Sequence, residues 1–314
     1  MTPEAARIGT RITVPVPGSF SPAHTFTAAR MYAVHGLYDA AAGVYLRPVR
    51  IGPESAALFR IAPADACTAL TFEVVGLTGS PALPLVEAAA RRIAQPAASP
   101  AAFYQAAEAD PAMRETVRAL CGLRVLGFED LFSALTATIT EQQITLTSAQ
   151  AGERWLLATH GIAVYDAVHD AGRVFHTFPA PQRLAALTDG DLRPLKITFV
   201  RIGRILALAR AIADGRFDAD AVLDLAPDAA YAAVRALSGV GHWTAAWALL
   251  RARGLFLPVG SADVALRAAV HHFAHGQPGR AGRDQTDAYI ARFAPHEGWA
   301  SFYLLTRWGL HKGY

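Results

Sequence analysis

Between residues 10 and 77, β-branched and aromatic residues alternate with polar ones in short runs set apart by Pro and Gly. These runs are Arg11-Ile12-Thr13-Val14, Val44-Tyr45-Leu46-Arg47, Ala57-Leu58-Phe59-Arg60-Ile61 and Leu70-Thr71-Phe72-Glu73-Val74-Val75. A period of two sends successive side chains to opposite faces, so half-buried antiparallel strands are predicted. The stretch from Leu83 to Ile93 reads as a helix. Gln95-Pro96-Ala97-Ala98-Ser99-Pro100 reads as a linker, because its two prolines stop helix and sheet alike. A domain boundary near residue 100 follows. From Ala101 onward the period becomes helical almost throughout; Ile202, Ile205, Leu206, Ala209 and Ile212 share one face, and Gly215 suits a left-handed C-cap. The expected fold class is α+β, with an N-terminal antiparallel β-rich domain (1–100) followed by an all-helical domain (101–314).

The most informative segment is Leu237-Ser238-Gly239-Val240-Gly241-His242-Trp243-Thr244-Ala245-Ala246-Trp247. A helix from about Asp228 to Ala236 is expected before it, and another from His242 to about Arg253, closed by Gly254. Gly239 and Gly241 allow a tight turn that leaves backbone N–H groups exposed at a helix N-terminus, an apparatus for gripping phosphate without side-chain charge. Twenty residues beyond Trp243, the loop Pro258-Val259-Gly260-Ser261-Ala262-Asp263 delivers a carboxylate to the start of a further helix. By itself Asp263 in that position would be an ordinary N-cap.

Composition narrows the partners. Of 314 residues 53% are apolar and 18% charged, enough for a sizeable core and too few charges for a disordered chain. Net charge is only +3, with 27 Arg and just two Lys, Lys196 and Lys312, so an anionic partner must be met by local patches. Residues 235–314 carry a local balance of +5, whereas 211–234 hold five Asp against Arg216 alone. Cys67 and Cys121 are the only cysteines, too few for a disulfide framework, a Cys-based zinc site or a four-cysteine cluster. No apolar run approaches the ~18 residues of a membrane span, and the N-terminus lacks a secretory layout. A cytosolic protein with no membrane partner is expected.

The L-x-G-x-G-x-x-T-A hairpin followed at this distance by a loop Asp resembles the helix-hairpin-helix superfamily of DNA glycosylases. Trp243 after the hairpin, the proline-led loop and the β-rich N-terminal domain are similar to the DNA-3-methyladenine glycosylase II (AlkA-like) branch. Further matches are Asp110-Pro111-Ala112-Met113-Arg114, Gly122-Leu123-Arg124, Glu141-Gln142-Gln143-Ile144 and Trp299-Ala300-Ser301-Phe302-Tyr303-Leu304-Leu305. Ser238 stands where the family usually has Pro. Trp243 stands where members that also cut the backbone carry a Schiff-base lysine, so the resemblance implies a monofunctional hydrolase that uses water.

The resemblance implies Asp263 as the catalytic carboxylate and Trp243, Trp247 and Trp299 as the walls of a pocket for a cationic alkylated base. Indoles at such spacing are otherwise ordinary core. It implies DNA contacts from Gly239, Val240, Gly241, His242 and Thr244. The turn Gln142, Gln143, Ile144 would point at the minor groove, with Gln143 or Ile144 as wedge; a plain polar inter-helix turn reads equally well from the residues. A monovalent cation, Na+ or K+, held by the Leu237 and Val240 carbonyls is also implied, and no cofactor is required. His271, His272 and His275 look metal-like, but with no acidic or Cys partner beside them a solvated or phosphate-contacting role fits better. The expected activity is hydrolysis of the N-glycosidic bond of alkylated purines (3-methyladenine, 7-methylguanine type) in double-stranded DNA, by a monomer. A glycosylase for a neutral oxidised or deaminated base, and a non-catalytic DNA-binding scaffold, remain open alternatives.

Overall fold

A computed structural model describes residues 4–64, 67–95, 98–170 and 172–314. Pro96 and Ala97 of the expected linker lie outside the described residues. The elements are β1 (Arg11–Pro15), α1 (Pro22–Tyr32), β2 (Leu37–Asp39), β3 (Val44–Arg50), β4 (Ala56–Pro63), β5 (Ala69–Thr78) and α2 (Leu83–Ala94). There follow α3 (Ala101–Ala107), α4 (Pro111–Ala119), α5 (Leu131–Glu141), α6 (Leu146–His160), β6 (Ala163–Tyr165), β7 (Val174–His176), α7 (Pro181–Ala185) and α8 (Phe199–Ala213). The remainder is α9 (Ala219–Asp224), α10 (Pro227–Arg235), α11 (His242–Arg253), α12 (Val264–Phe273), α13 (Arg283–Ala291) and α14 (Glu297–His311).

The antiparallel sheet has the order β1-β5-β4-β3-β2. Its alternation sorts side chains cleanly. Tyr45, Phe59, Ile61, Phe72 and Val74 face α1 and α2, where Phe26, Val86 and Ile93 complete a core. The neighbours Leu46, Leu58 and Val75 point the other way and are covered by Val164 and Phe175 of the β6–β7 ribbon. That ribbon corrects the expectation that 101–314 is all-helical. Its strands are only three residues each and pay no role in the helical core, so they leave little periodic signal. The chain also crosses the expected boundary at residue 100 in the packing sense, since α1 gives Ala28 to the C-terminal helical core and its C-cap residue Ala33 joins the other helical core.

The two helical cores meet on α11. Ala245, Ala248 and Leu249 belong to the cluster with Phe132, Ile205 and Val234, while Ala246, Trp247 and Leu250 belong to the cluster with Phe103, Leu266 and Phe302. A helix packed on both sides is a rigid mount, and the hairpin sits at its N-terminus. Polar stitching joins sheet to helices. Arg47, with no exposure, faces Glu129 at 3.7 Å and lies 5.1 Å from the centre of the Phe128 ring. Arg50 pairs with Asp130, the residue that caps α5. Burial pushes the Glu129 carboxyl above its ordinary value, against the pull of both arginines.

Candidate active site and DNA-facing hairpin

The loop before α12 is fixed from three sides. Gly260 has φ +78, a left-handed value that favours glycine. Asp287 of α13 accepts from the Ser261 backbone N–H (3.1 Å) and hydroxyl (2.6 Å). His242 Nε2 lies 2.7 Å from the Pro258 carbonyl, and its Nδ1 lies 2.7 Å from the Tyr231 hydroxyl. Since a carbonyl only accepts, Nε2 carries a proton and donates to Pro258. His242, expected on DNA, thus uses its side chain to tie α10, α11 and the loop together, leaving its backbone N–H for a ligand.

Asp263 is half-buried, and its two oxygens have different partners. Oδ1 accepts from the Leu266 backbone N–H (2.9 Å), capping α12, and Oδ2 accepts from Trp243 Nε1 (2.7 Å). Capping therefore uses one oxygen only and is compatible with the expected site role of the same carboxylate. Trp243 stands edge-on to Trp247 at 6.5 Å. Trp247 is 5% exposed, and its ring is already flanked by Tyr32 (5.5 Å) and by the Arg251 guanidinium (5.2 Å). The third indole belongs to the same core cluster but stacks on other rings. Trp299 stacks on Phe256 at 3.4 Å and packs against Phe103 and Tyr303, with no ring contact to Trp243 or Trp247 among the described residues. A small, partly open cavity of about 20 Å³ lies among Tyr32, Phe128, Trp247, Arg251 and Phe302, room for roughly one water and not for a nucleobase. Trp243, Tyr32 and Asp263 each keep partial exposure.

Four groups near this site, Arg251, Glu141, Glu153 and Tyr32, interact in ways that no motif predicts. Arg251 donates to Glu141 (2.9 Å) and Thr138 (3.2 Å) and is 3% exposed. Burial pushes the Glu141 carboxyl up, Arg251 pulls it down, and Asp263 pushes it up again. Glu153 is held well above its ordinary value, first by burial and then by Glu141. Burial pushes the Tyr32 hydroxyl up to about 12, so it stays protonated at neutral pH. The only sequence trace of this group is the four-residue spacing of Trp243, Trp247 and Arg251, which puts a charge on a stripe otherwise aromatic.

The hairpin itself turns at Gly239, φ +74, where a Cβ would strike the Arg204 side chain 1.9 Å away. Gly241 differs. Its backbone is extended (φ −79), and a Cβ there would meet nothing closer than Arg235 at 4.0 Å. Only the first glycine is required by the fold. The N-terminus of α11 has no side-chain cap, unlike those of α5, α6 and α12. Thr244 is 2% exposed and its hydroxyl accepts from Gln142 Nε2 at 2.7 Å, so these two expected DNA contacts hold each other. The Gln142 carbonyl is in turn held by Arg201 of α8. Gln143 is left exposed at the tip with φ +53, an uncommon conformation for a residue with a Cβ, and Ile144 is half-buried beside it.

The expected cation ligands are otherwise engaged. Arg235 Nη1 donates to the Val240 carbonyl at 2.7 Å, and the Val240 N–H donates to the Leu237 carbonyl at 3.1 Å. A guanidinium on one of the two oxygens does not fit a Na+ or K+ ion on the same pair. Two of the three histidines are engaged within the protein, His271 Nδ1 lying 2.8 Å from the Pro278 carbonyl and His272 packing against Trp308 and His311, while His275 is exposed.

No family model matches the chain. It is 32% identical over 149 residues to a DNA-3-methyladenine glycosylase of Bacillus subtilis, a match covering 48% of each protein. It is 29% identical over 306 residues, 97% of this chain and 58% of the relative, to a Mycobacterium tuberculosis protein described as a probable bifunctional transcriptional activator/DNA repair enzyme AlkA. The chain thus spans about half the length of the curated relatives it matches. Among solved structures, a 3-methyladenine DNA glycosylase from Archaeoglobus fulgidus superposes with a TM-score of 0.74 at 14% identity, covering 95% of this chain and 98% of that one. An 8-oxoguanine glycosylase/lyase from Clostridium acetobutylicum bound to DNA superposes at 0.71 and 12% identity, covering 100% and 99%. No helix among the described residues is long and apolar enough to cross a membrane. The chain shares the fold of these DNA glycosylases, and its sequence is similar to the 3-methyladenine glycosylase and AlkA relatives.

Proposed function

We propose that the protein is a monofunctional DNA glycosylase that removes alkylated purines of the 3-methyladenine and 7-methylguanine type from double-stranded DNA, acting as a monomer. The observation that carries this reading is the Asp263 carboxylate, held ready by a backbone N–H and an indole N–H; by the resemblance, Trp243 takes the position of the lysine in members that also cut the backbone. Neither lysine replaces it. Lys196 closes a short turn before α8, and Lys312 lies over Trp308 at the end of α14.

The chemistry follows from charge. A purine methylated at N3 or N7 is cationic, so when the C1′–N9 bond breaks the base takes the electron pair and leaves neutral. Positive charge then grows on the deoxyribose, and Asp263 stabilises it electrostatically. Water adds its oxygen to C1′ and gives up a proton, for which the same carboxylate is an acceptor. Arg251 does not oppose this, because its charge is matched by Glu141 at 2.8 Å. Eversion of the base costs a few kcal/mol, least for a damaged base, and Gln143 at the exposed tip is suited to fill the gap.

The test is incubation with methylated duplex DNA and chromatography of the released bases. Free 3-methyladenine or 7-methylguanine is expected. Release of oxidised or deaminated bases alone would assign a different lesion class, and binding without release would make the protein a scaffold.

A further inference from the structure

A phosphate-gripping turn works best when the carbonyls behind its N–H groups are held by positive charge, because that charge both orients the peptides and adds to their pull on an anion. In this hairpin the charge is present in the chain. Arg235 is the last residue of α10, where the helix C-terminus favours a cation, and its Nη1 reaches five residues forward to the Val240 carbonyl at 2.7 Å. The Leu237 carbonyl at the same turn is closed by the Val240 N–H. Arg204 lies across Gly239, the residue at the tip of the turn, so a second guanidinium stem covers the hairpin from α8.

We infer that Arg235 is the resident cation of the hairpin, taking the place of a bound Na+ or K+ ion, so that DNA binding through this turn is independent of the monovalent cation supplied. An ion on the Val240 carbonyl would have to displace the guanidinium or share an oxygen with it, and like charges so close repel. The inference rests on the DNA-binding reading of the hairpin given above.

The experiment is an anisotropy titration on a duplex carrying an abasic-site analogue, at constant ionic strength, with K+ replaced stepwise by N-methylglucammonium, which is too large to sit on a turn carbonyl. The wild-type Kd should change by less than about twofold. Arg235→Gln should bind about five- to tenfold more weakly in N-methylglucammonium and recover affinity when K+ or Na+ is added, as the vacated carbonyls take up an ion. Arg235→Lys should behave as wild type. A wild-type Kd that rises severalfold on K+ withdrawal overturns the inference, as does an Arg235→Gln variant that binds like wild type in both salts. A loss in Arg235→Gln that neither K+ nor Na+ restores marks the arginine as a structural clamp and overturns it too. Should wild type bind no duplex in any salt, the functional reading fails on its own. The inference is then decided by melting: K+ should raise the Tm of Arg235→Gln and not that of wild type, and equal responses overturn it.

Discussion

A carboxylate that caps a helix normally commits itself to backbone N–H groups, yet Asp263 keeps one oxygen for the cap and gives the other to the Trp243 indole. In the proposed function that indole would serve both as a wall for the base and as the group that aims the carboxylate. Trp243→Phe keeps an aromatic ring and removes the donor, so single-turnover excision should fall on the order of tenfold with little change in Tm. Trp247 is different, enclosed by Tyr32, Trp243 and Arg251. Trp247→Ala should behave as a core deletion, costing about 3–5 kcal/mol of stability in a denaturant titration, and its excision loss should be similar for cationic and neutral bases. Glu153 supplies a pH signature. Burial and Glu141 raise its folded value, so the unfolded chain gives up the proton first, and stability falls as pH climbs from the ordinary carboxylate range through the raised value. Glu153→Gln lacks that titration. Its Tm relative to wild type should rise between pH 5 and pH 8, by about 2 °C or more in a melting series, and a flat difference would count against the assignment.

At the scale of elements, the hairpin separates two glycines that look alike in the sequence. Gly239→Ala must strain a left-handed residue and push Arg204 aside, so binding to damaged and undamaged duplex should weaken together, because phosphate contacts carry no lesion information. Gly241→Ala has room in the protein. Any loss of binding there comes from crowding the phosphate, so its Tm should match wild type while its Kd rises; a large Tm drop would show that the fold needs this glycine too. The sequence exposed most of these elements through periodicity: β1, β3, β4, β5 and α2 fall on the expected runs, and α11 spans His242–Arg253 as read. What it hid were elements too short to show a period, β2, β6 and β7, together with α1, whose Ser21 cap and Pro22 at the first position are a usable start signal.

At the scale of the whole molecule, the site is an assembly of distant segments, which is why only part of it was legible. Asp263 and Trp243 are twenty residues apart and share a motif. Tyr32 comes from α1, Glu141 from the end of α5 and Arg251 from α11, and nothing in their local sequence announces that they meet. Nor does the motif reveal that Trp299 stacks on Phe256, with no ring contact to Trp243 or Trp247 among the described residues. The sheet, through Arg47 and Arg50, and α1, through Tyr32, connect the N-terminal segment to the helices that carry the chemistry.

The central claim, that the Asp263 charge drives base release, is tested most directly by single-turnover excision of a methylated purine by Asp263→Asn, beside a titration on an abasic-site duplex at fixed salt. Asparagine keeps the size and much of the capping ability while removing the charge. Excision should fall by about 10²–10³ or more, with the melting temperature nearly unchanged and the affinity for DNA equal or higher, because a negative charge near the phosphates is gone. Excision within a few-fold of wild type, with binding intact, would leave Asp263 as a helix cap and contradict the account.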